Sequence, residues 1–272
     1  MIEGNIESLL ALAKQSALDA GDFIQEGASR RSTLNVEEKG MHDYVSEIDR
    51  GAEEIVRRHI RSHFPDHNIL GEEFGTSKGS GSDYQWIIDP LDGTTNFVRG
   101  IPHYAVSIAV QYRSEIVVGV VYDPVKRELF SSVKGEGSQL NDVSIQASGI
   151  PHIRGALLAT GVPFSGEQLR DISKFTETMV SLLNEQTSGI RRLGAAALDL
   201  AYVAAGRYDG FWEASLKPWD IAAGTLLVRE AGGIVTNFDG QNDCLSCGNI
   251  VAATSGAHSA MLRSVQKSYT SV

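Results

Sequence analysis

Ile6, Leu9, Leu10, Ala13, Ala17, Ala20 and Ile24 recur at helical spacing with polar residues between them, so an amphipathic helix is expected near the start of the chain. A second helix is predicted from near Ser46, carrying Ile48, Ala52, Ile55, Val56 and Ile60 until Phe64-Pro65 stops it. The short apolar stretch Asn68-Ile69-Leu70 gives way to a Gly/Ser-rich segment, Gly75 to Ser82, which reads as a surface loop. An apolar strand follows from Tyr84 to Ile88, ending at Asp89-Pro90 because proline cannot continue a sheet ladder. Three more runs, Tyr104 to Tyr112, Ile116 to Tyr122 and Leu129 to Val133, are separated by short turns, which makes them antiparallel neighbours.

The second half offers a strand at Ala156 to Thr160, helices at Glu167 to Asn184 and Ala195 to Gly206, and a strand at Gly210 to Glu213. A helix begins near Pro218, where proline suits the first turn. Strands at Ile234 to Thr236 and Ile250 to Ala253 precede a final helix over His258 to Lys267. Helices and strands thus alternate in blocks, the mark of a layered, mixed α+β fold. No repeat or long linker divides the chain, so residues 1–272 read as a single unit. Its subdomains, about 1–150 and 151–272, are expected to pack with a cleft between them.

Composition narrows the function. The 272 residues carry 34 acidic and 24 basic side chains, a net charge of −10, and lack the basic excess of proteins that bind nucleic-acid phosphates generally. A small phosphorylated substrate is still compatible, provided local arginines or bound divalent cations offset the repulsion. Glu3, Glu7 and Lys14 interrupt the first segment, and Gly119, Asp123 and Arg207 break the most apolar windows. Neither a secretory signal nor a spanning helix is expected, which points to a soluble, cytoplasmic protein without a membrane partner. Cys244 and Cys247 are the only cysteines. Their CxxC spacing admits a redox pair, but two unlinked thiols in a loop is the preferred reading, since structural zinc takes four ligands. His59, His63 and His67 fall at metal-ligand spacing, yet Pro65 interrupts the register and a solvated helix face is expected. Gly75 to Gly79 matches GxSxG without the strand and helix that a nucleophile elbow requires, so it is treated as chance.

The densest acidic neighbourhood is Glu72, Glu73, Asp83, Asp89 and Asp92. Asp89 sits at a strand end, and a turn through Pro90 can bring Asp89, Asp92 and an intervening carbonyl around one hard cation, a ligand set that suits magnesium. Asp92-Gly93-Thr94-Thr95 also looks like a helix start, with Asp92 near the cap and free N–H groups able to hold phosphate. An Asp-rich turn with a capped helix describes the same segment without any function. A second constellation comprises Arg191 to Ala196, Glu213 at a strand end, and Asp220 in the first turn of an apolar helix, where it also complements the helix dipole.

Glu72-Glu73, the segment Trp86-Ile87-Ile88-Asp89-Pro90-Leu91-Asp92-Gly93-Thr94-Thr95-Asn96-Phe97, and Pro218-Trp219-Asp220-Ile221-Ala222-Ala223-Gly224 running to Glu230-Ala231-Gly232-Gly233 resemble the paired signatures of the inositol monophosphatase family. The resemblance extends from the first helix to Gly248-Asn249-Ile250. It implies an αβαβα layered sandwich and a lithium-sensitive phosphatase that hydrolyses myo-inositol 1-phosphate and related monophosphates with two or three Mg2+. Metal ligation is implied for Glu72, Asp89, the Leu91 carbonyl, Asp92 and Asp220. Thr94, held by Asp49, would orient the attacking water, with Glu72 also catalytic. The Gly93 to Thr95 backbone would grip phosphate. Glu213, Arg191, Gly194, Ala195 and Ala196 would meet the alcohol, although Leu193 stands where a polar residue is common. Thr95-Asn96-Phe97 is similar to the inositol branch, while fructose 1,6-bisphosphate and nucleotides are the alternative substrates. The resemblance further implies a homodimer and partners in ribosomal RNA transcription complexes. It also reinterprets the acidic balance, since Asp49, Glu72, Asp89, Asp92 and Asp220 would all serve a magnesium site.

Overall fold

Leu9, Ala13, Ala17, Ala20 and Ile24 are all fully buried along one side of α1 (Glu3–Ala28) in the computed structural model of the protein. The structure describes residues 3–31, 36–40, 43–164 and 166–269. A hairpin of β1 (Val36–Gly40) and β2 (Asp43–Ser46) leads into α2 (Glu47–His63). Ser46 caps α2 in a reciprocal box with Asp49, and the Phe64 N–H closes its last turn onto the Ile60 carbonyl. Ile48, Ala52, Val56 and Ile60 form its buried face, as their spacing requires.

An eight-stranded sheet follows, built from β3 (Asn68–Gly71), β4 (Gly75–Ser77), β5 (Tyr84–Asp92), β6 (Ala105–Tyr112), β7 (Glu115–Asp123), β8 (Glu128–Val133), β9 (Gly137–Leu140) and β10 (Val143–Ile145). Its order is β10-β9-β8-β7-β6-β5-β3-β4, with β3 parallel to β5 and the other pairings antiparallel. The single-turn helix α3 (Thr94–Arg99) interrupts the chain between β5 and β6. The second half supplies β11 (Leu157–Thr160), α4 (Ile172–Asn184), β12 (Gly189–Arg191), α5 (Ala196–Ala204), β13 (Gly210–Glu213), α6 (Pro218–Glu230), β14 (Ile234–Thr236), β15 (Ile250–Ala253) and α7 (Ser255–Tyr269). Its five strands make a mixed sheet in the order β12-β11-β13-β15-β14.

Three apolar clusters define the layers. Leu9, Ile24, Val56 and Ile60 of α1 and α2 pack on Trp86, Ile88, Ile108 and Val110 from one face of the large sheet. Its other face gives Ile87, Ala109 and Val121 to a cluster that takes in α5, α6 and Phe211 and Ala252 of the small sheet. Leu158, Trp212 and Val251 turn the opposite way, onto Leu182 of α4 and Met261 and Val265 of α7. The order is therefore αβαβα, the mixed α+β sandwich anticipated from the sequence.

Several local expectations are corrected. Strand β5 runs through Pro90 to Asp92 by way of an irregularity in its pairing. Part of the Gly/Ser-rich segment pairs with β3 as the short edge strand β4. The helix expected from Glu167 starts at Ile172, after a 3₁₀ turn over Gly166–Asp171. His67 is not on a solvated face: it is buried between Phe64 and Tyr84, and its Nδ1 accepts the Trp86 indole N–H at 3.0 Å. Ser77 of the GxSxG match accepts a hydrogen bond from Arg61 on an edge strand. Cys244 is buried beside Thr225, Cys247 is exposed, and both are free thiols.

Candidate active site

The break in β5 creates the site. Asp89 pairs with Ser107 and Asp92 with Ala105, so three steps on one strand (92 − 89) oppose two on the other (107 − 105). The extra residue is a bulge, which Pro90 favours because it has no N–H to give the ladder. Asp89 remains buried, with Oδ1 accepting the Leu91 N–H at 3.0 Å. The Thr94 hydroxyl lies 2.8 Å from Asp49 Oδ1 and 3.0 Å from the Leu91 carbonyl oxygen. Having one proton, it donates to these acceptors in turn, and the carboxylate is the stronger. Asp49 Oδ2 accepts from the Ser46 N–H and hydroxyl.

The cap of α3 is Gly93, not Asp92. Gly93 has φ +93°, and a Cβ there would lie 3.1 Å from the His103 carbonyl oxygen and 3.3 Å from that of Gly194. Asp92 instead reaches the other half of the chain: its Oδ2 accepts the Ala197 N–H at 2.7 Å, in the first turn of α5. Asn96 ties the same two segments by donating to the carbonyls of His103 and Leu193, each at 2.8 Å. Asp220, at the third position of α6, accepts the Lys217 N–H at 2.7 Å.

These contacts leave a cleft of about 460 Å³ lined by Asp92, Gly93, Thr94, Thr95, Gly194, Ala195, Ala196, Glu213 and Asp220. Asp49, Asp89 and Leu91 are buried and Glu72 half-buried, and none of the four is among the lining residues. Arg191 is exposed on the edge strand β12 and is not among the lining residues; Arg192 is. Asp199 also lines the cleft. Sequence reasoning passed over it, although a lone carboxylate in the otherwise apolar helix Ala196–Ala204 is a signal.

Electrostatics draw these acids into one neighbourhood. Burial holds the Asp89 carboxyl well above the usual range, and the charges of Glu72, Asp92 and Asp220 push it further. Asp92 is raised by burial and by Asp220, despite its bond from Ala197. Glu213 is pushed up to about 8 by burial and Asp220, with the Arg192 charge opposing. Buried carboxylates that repel one another favour a positive ion, and a donor set made only of oxygens suits a hard divalent one. Among the described residues no three His, Cys, Asp or Glu side chains are already gathered into a ligand shell. Asp92, Asp199, Glu213 and Asp220 share the cleft wall, and each of Asp89, Asp92 and Asp220 is also held by a backbone N–H.

Residues 5–270 match the profile of the inositol monophosphatase family. The chain is 47% identical over 263 residues to the Nus factor SuhB of Pseudomonas aeruginosa, covering 96% of this chain and 97% of that protein. Its structure superposes with a TM-score of 0.91 on the extragenic suppressor protein suhB of Bartonella henselae, at 41% identity, covering 96% and 99% of the two chains. With the inositol monophosphatase of Anabaena (Nostoc) sp. PCC 7120 the TM-score is 0.82 at 35% identity, covering 97% of each. The chain belongs to the inositol monophosphatase family, a generally metal-dependent group of phosphatases. Among the described residues no helix is long and apolar enough to cross a membrane.

Proposed function

We propose that the protein hydrolyses phosphate monoesters of small polyols, myo-inositol 1-phosphate among them, with Mg2+. What carries this reading is the bulge that sets buried Asp89 and half-buried Asp92 beside the Thr94–Asp49 hydrogen bond at a polar cleft. Glu72, Asp89, the Leu91 carbonyl, Asp92 and Asp220 would hold two or three ions. Bound magnesium would supply charge neutralisation toward the phosphate dianion and lower the pKa of a water.

The residues do the remainder. Thr94, whose proton is drawn to Asp49, presents its oxygen lone pairs to a water and fixes that water's orientation. Glu72 stands ready to take the proton the water gives up. Backbone N–H groups of Gly93 to Thr95 receive the phosphate oxygens. Glu213, the Gly194–Ala196 backbone and Arg192 face the alcohol, and Arg191, exposed on β12, does not. No covalent phosphoenzyme is required, so catalysis is by positioning and electrostatics. The reading treats the chain as one catalytic unit whose halves each furnish part of the cleft, and as a cytoplasmic homodimer.

A panel of myo-inositol 1-phosphate, fructose 1,6-bisphosphate, glycerol phosphate and a nucleoside monophosphate, assayed with Mg2+ and with Li+, tests it. Fastest turnover of the inositol ester and its inhibition by lithium are expected; no magnesium-dependent turnover of any ester would refute the proposal. A second reading, favoured by the name Nus factor carried by the Pseudomonas relative, is an accessory role in ribosomal RNA transcription complexes. Co-purification with transcription proteins that persists in an Asp92→Asn variant would separate that role from hydrolysis.

A further inference from the structure

Asp199 lies in the first turn of α5, 1% exposed, against the cleft. Its Oδ1 has no hydrogen-bond partner among the described residues. The charged groups around it are Glu213 and Asp92, which repel it, and Arg192, which attracts it without closing an ion pair. The buried phenol of Tyr208 is pushed up to about 12 by its own burial and by the nearby Asp199 carboxyl. A carboxylate in a first helical turn complements the helix dipole, but that gain is small beside the cost of burying a carboxyl oxygen without a hydrogen-bond partner next to two other acids. Stability therefore does not account for an acid at this position. A ligand does.

Building on the phosphatase reading above, we propose that Asp199 is a specificity-determining residue that reads a free hydroxyl on the alcohol portion of the substrate. Glu213 and Arg192 line the same cleft, beside the Gly194–Ala196 backbone that would receive that portion. A hydroxyl both donates and accepts, so it satisfies the Asp199 carboxyl whether or not that carboxyl carries its proton. An ester of an alcohol without further hydroxyls leaves the carboxyl unpaired, and sites built around a substrate hydroxyl discriminate strongly against analogues that lack it.

The test compares kcat/KM for myo-inositol 1-phosphate with kcat/KM for 4-nitrophenyl phosphate in the wild type, Asp199→Ala and Asp199→Asn, all with Mg2+. The ratio is expected to fall about tenfold in Asp199→Ala, chiefly through KM for the polyol ester, and to recover most of that loss in Asp199→Asn, whose amide both donates and accepts. A ratio unchanged in Asp199→Ala, whether both esters suffer equally or neither does, overturns the proposal. Calorimetric binding of myo-inositol 1-phosphate is measured alongside. If the wild type cleaves neither ester, the catalytic reading fails; binding that weakens about tenfold in Asp199→Ala then still supports the subsite, and binding absent or indifferent to the change refutes it.

Discussion

The Thr94 hydroxyl donates to Asp49 Oδ1 at 2.8 Å, joining the first residue of α3 to the first turn of α2 across 45 positions of sequence. Asp49 is fixed independently, because its other oxygen belongs to the capping box with Ser46. The hydroxyl is therefore oriented by a helix terminus and not by a mobile side chain. Removing it in Thr94→Ala should lower kcat about a hundredfold while KM changes little, and Thr94→Ser should restore most of the rate. Steady-state kinetics on myo-inositol 1-phosphate checks this. A kcat left unchanged would remove Thr94 from the mechanism.

Asp92 has two roles that one substitution separates. Its Oδ2 receives the Ala197 N–H, which an asparagine oxygen also does, while the negative charge that a cation would use disappears. Asp92→Asn should therefore keep the fold, lose about three orders of magnitude in turnover, and melt above the wild type in chelator because one term of the repulsion with Asp220 is gone. Calorimetric scans with and without Mg2+ read both effects. A chelated variant melting well below wild type would show that the charge, and not the oxygen, holds the two segments together.

Glu213 predicts the direction of a pH effect in chelator. Its carboxyl titrates near 4.5 when unfolded and at about 8 when folded. Below the first value both states hold the proton. Between the two, the folded chain keeps a proton that the unfolded one has released, so stability declines as pH rises through the interval. Asp89, Asp92 and Asp199, all raised, act with the same sign. Melting temperature should fall from about pH 5 to about pH 8, and Glu213→Gln should flatten the slope. A rising profile would contradict the buried, repelling arrangement.

Gly93→Ala should cost about 1–3 kcal/mol, because the residue keeps a left-handed φ of +93° and the new methyl meets two carbonyl oxygens. Denaturant titration measures the loss. An alanine variant as stable as the wild type would mean that the loop relaxes away from Gly194.

Legibility from sequence followed periodicity. The long helices α1 and α2 and the strands β6 to β8 were readable because each buries a regular face. The hairpin β1–β2, the strands β9, β10 and β12, and the edge β4 were missed, being short and poor in apolar positions. Asp89 and Asp92 are legible as neighbours, but the proline that by its missing N–H predicts a strand end marks a bulge within the strand.

By itself the sequence determined a mixed α+β chain of long helices and strands, through the faces they must bury, and a local cluster of oxygen donors, through the proline between two aspartates; the αβαβα layering was implied only by the family resemblance. Tertiary structure alone decided which groups face each other across the cleft. Asp92 meets the α5 terminus, Arg192 and not Arg191 lines the cleft with Glu213, and Asp199 Oδ1 is buried without a hydrogen-bond partner among the described residues. The physical reason is range. Side-chain period and turn chemistry act over a few residues, whereas the charge and burial that set these groups come from segments about a hundred positions apart, brought together only when both sheets close on α5 and α6.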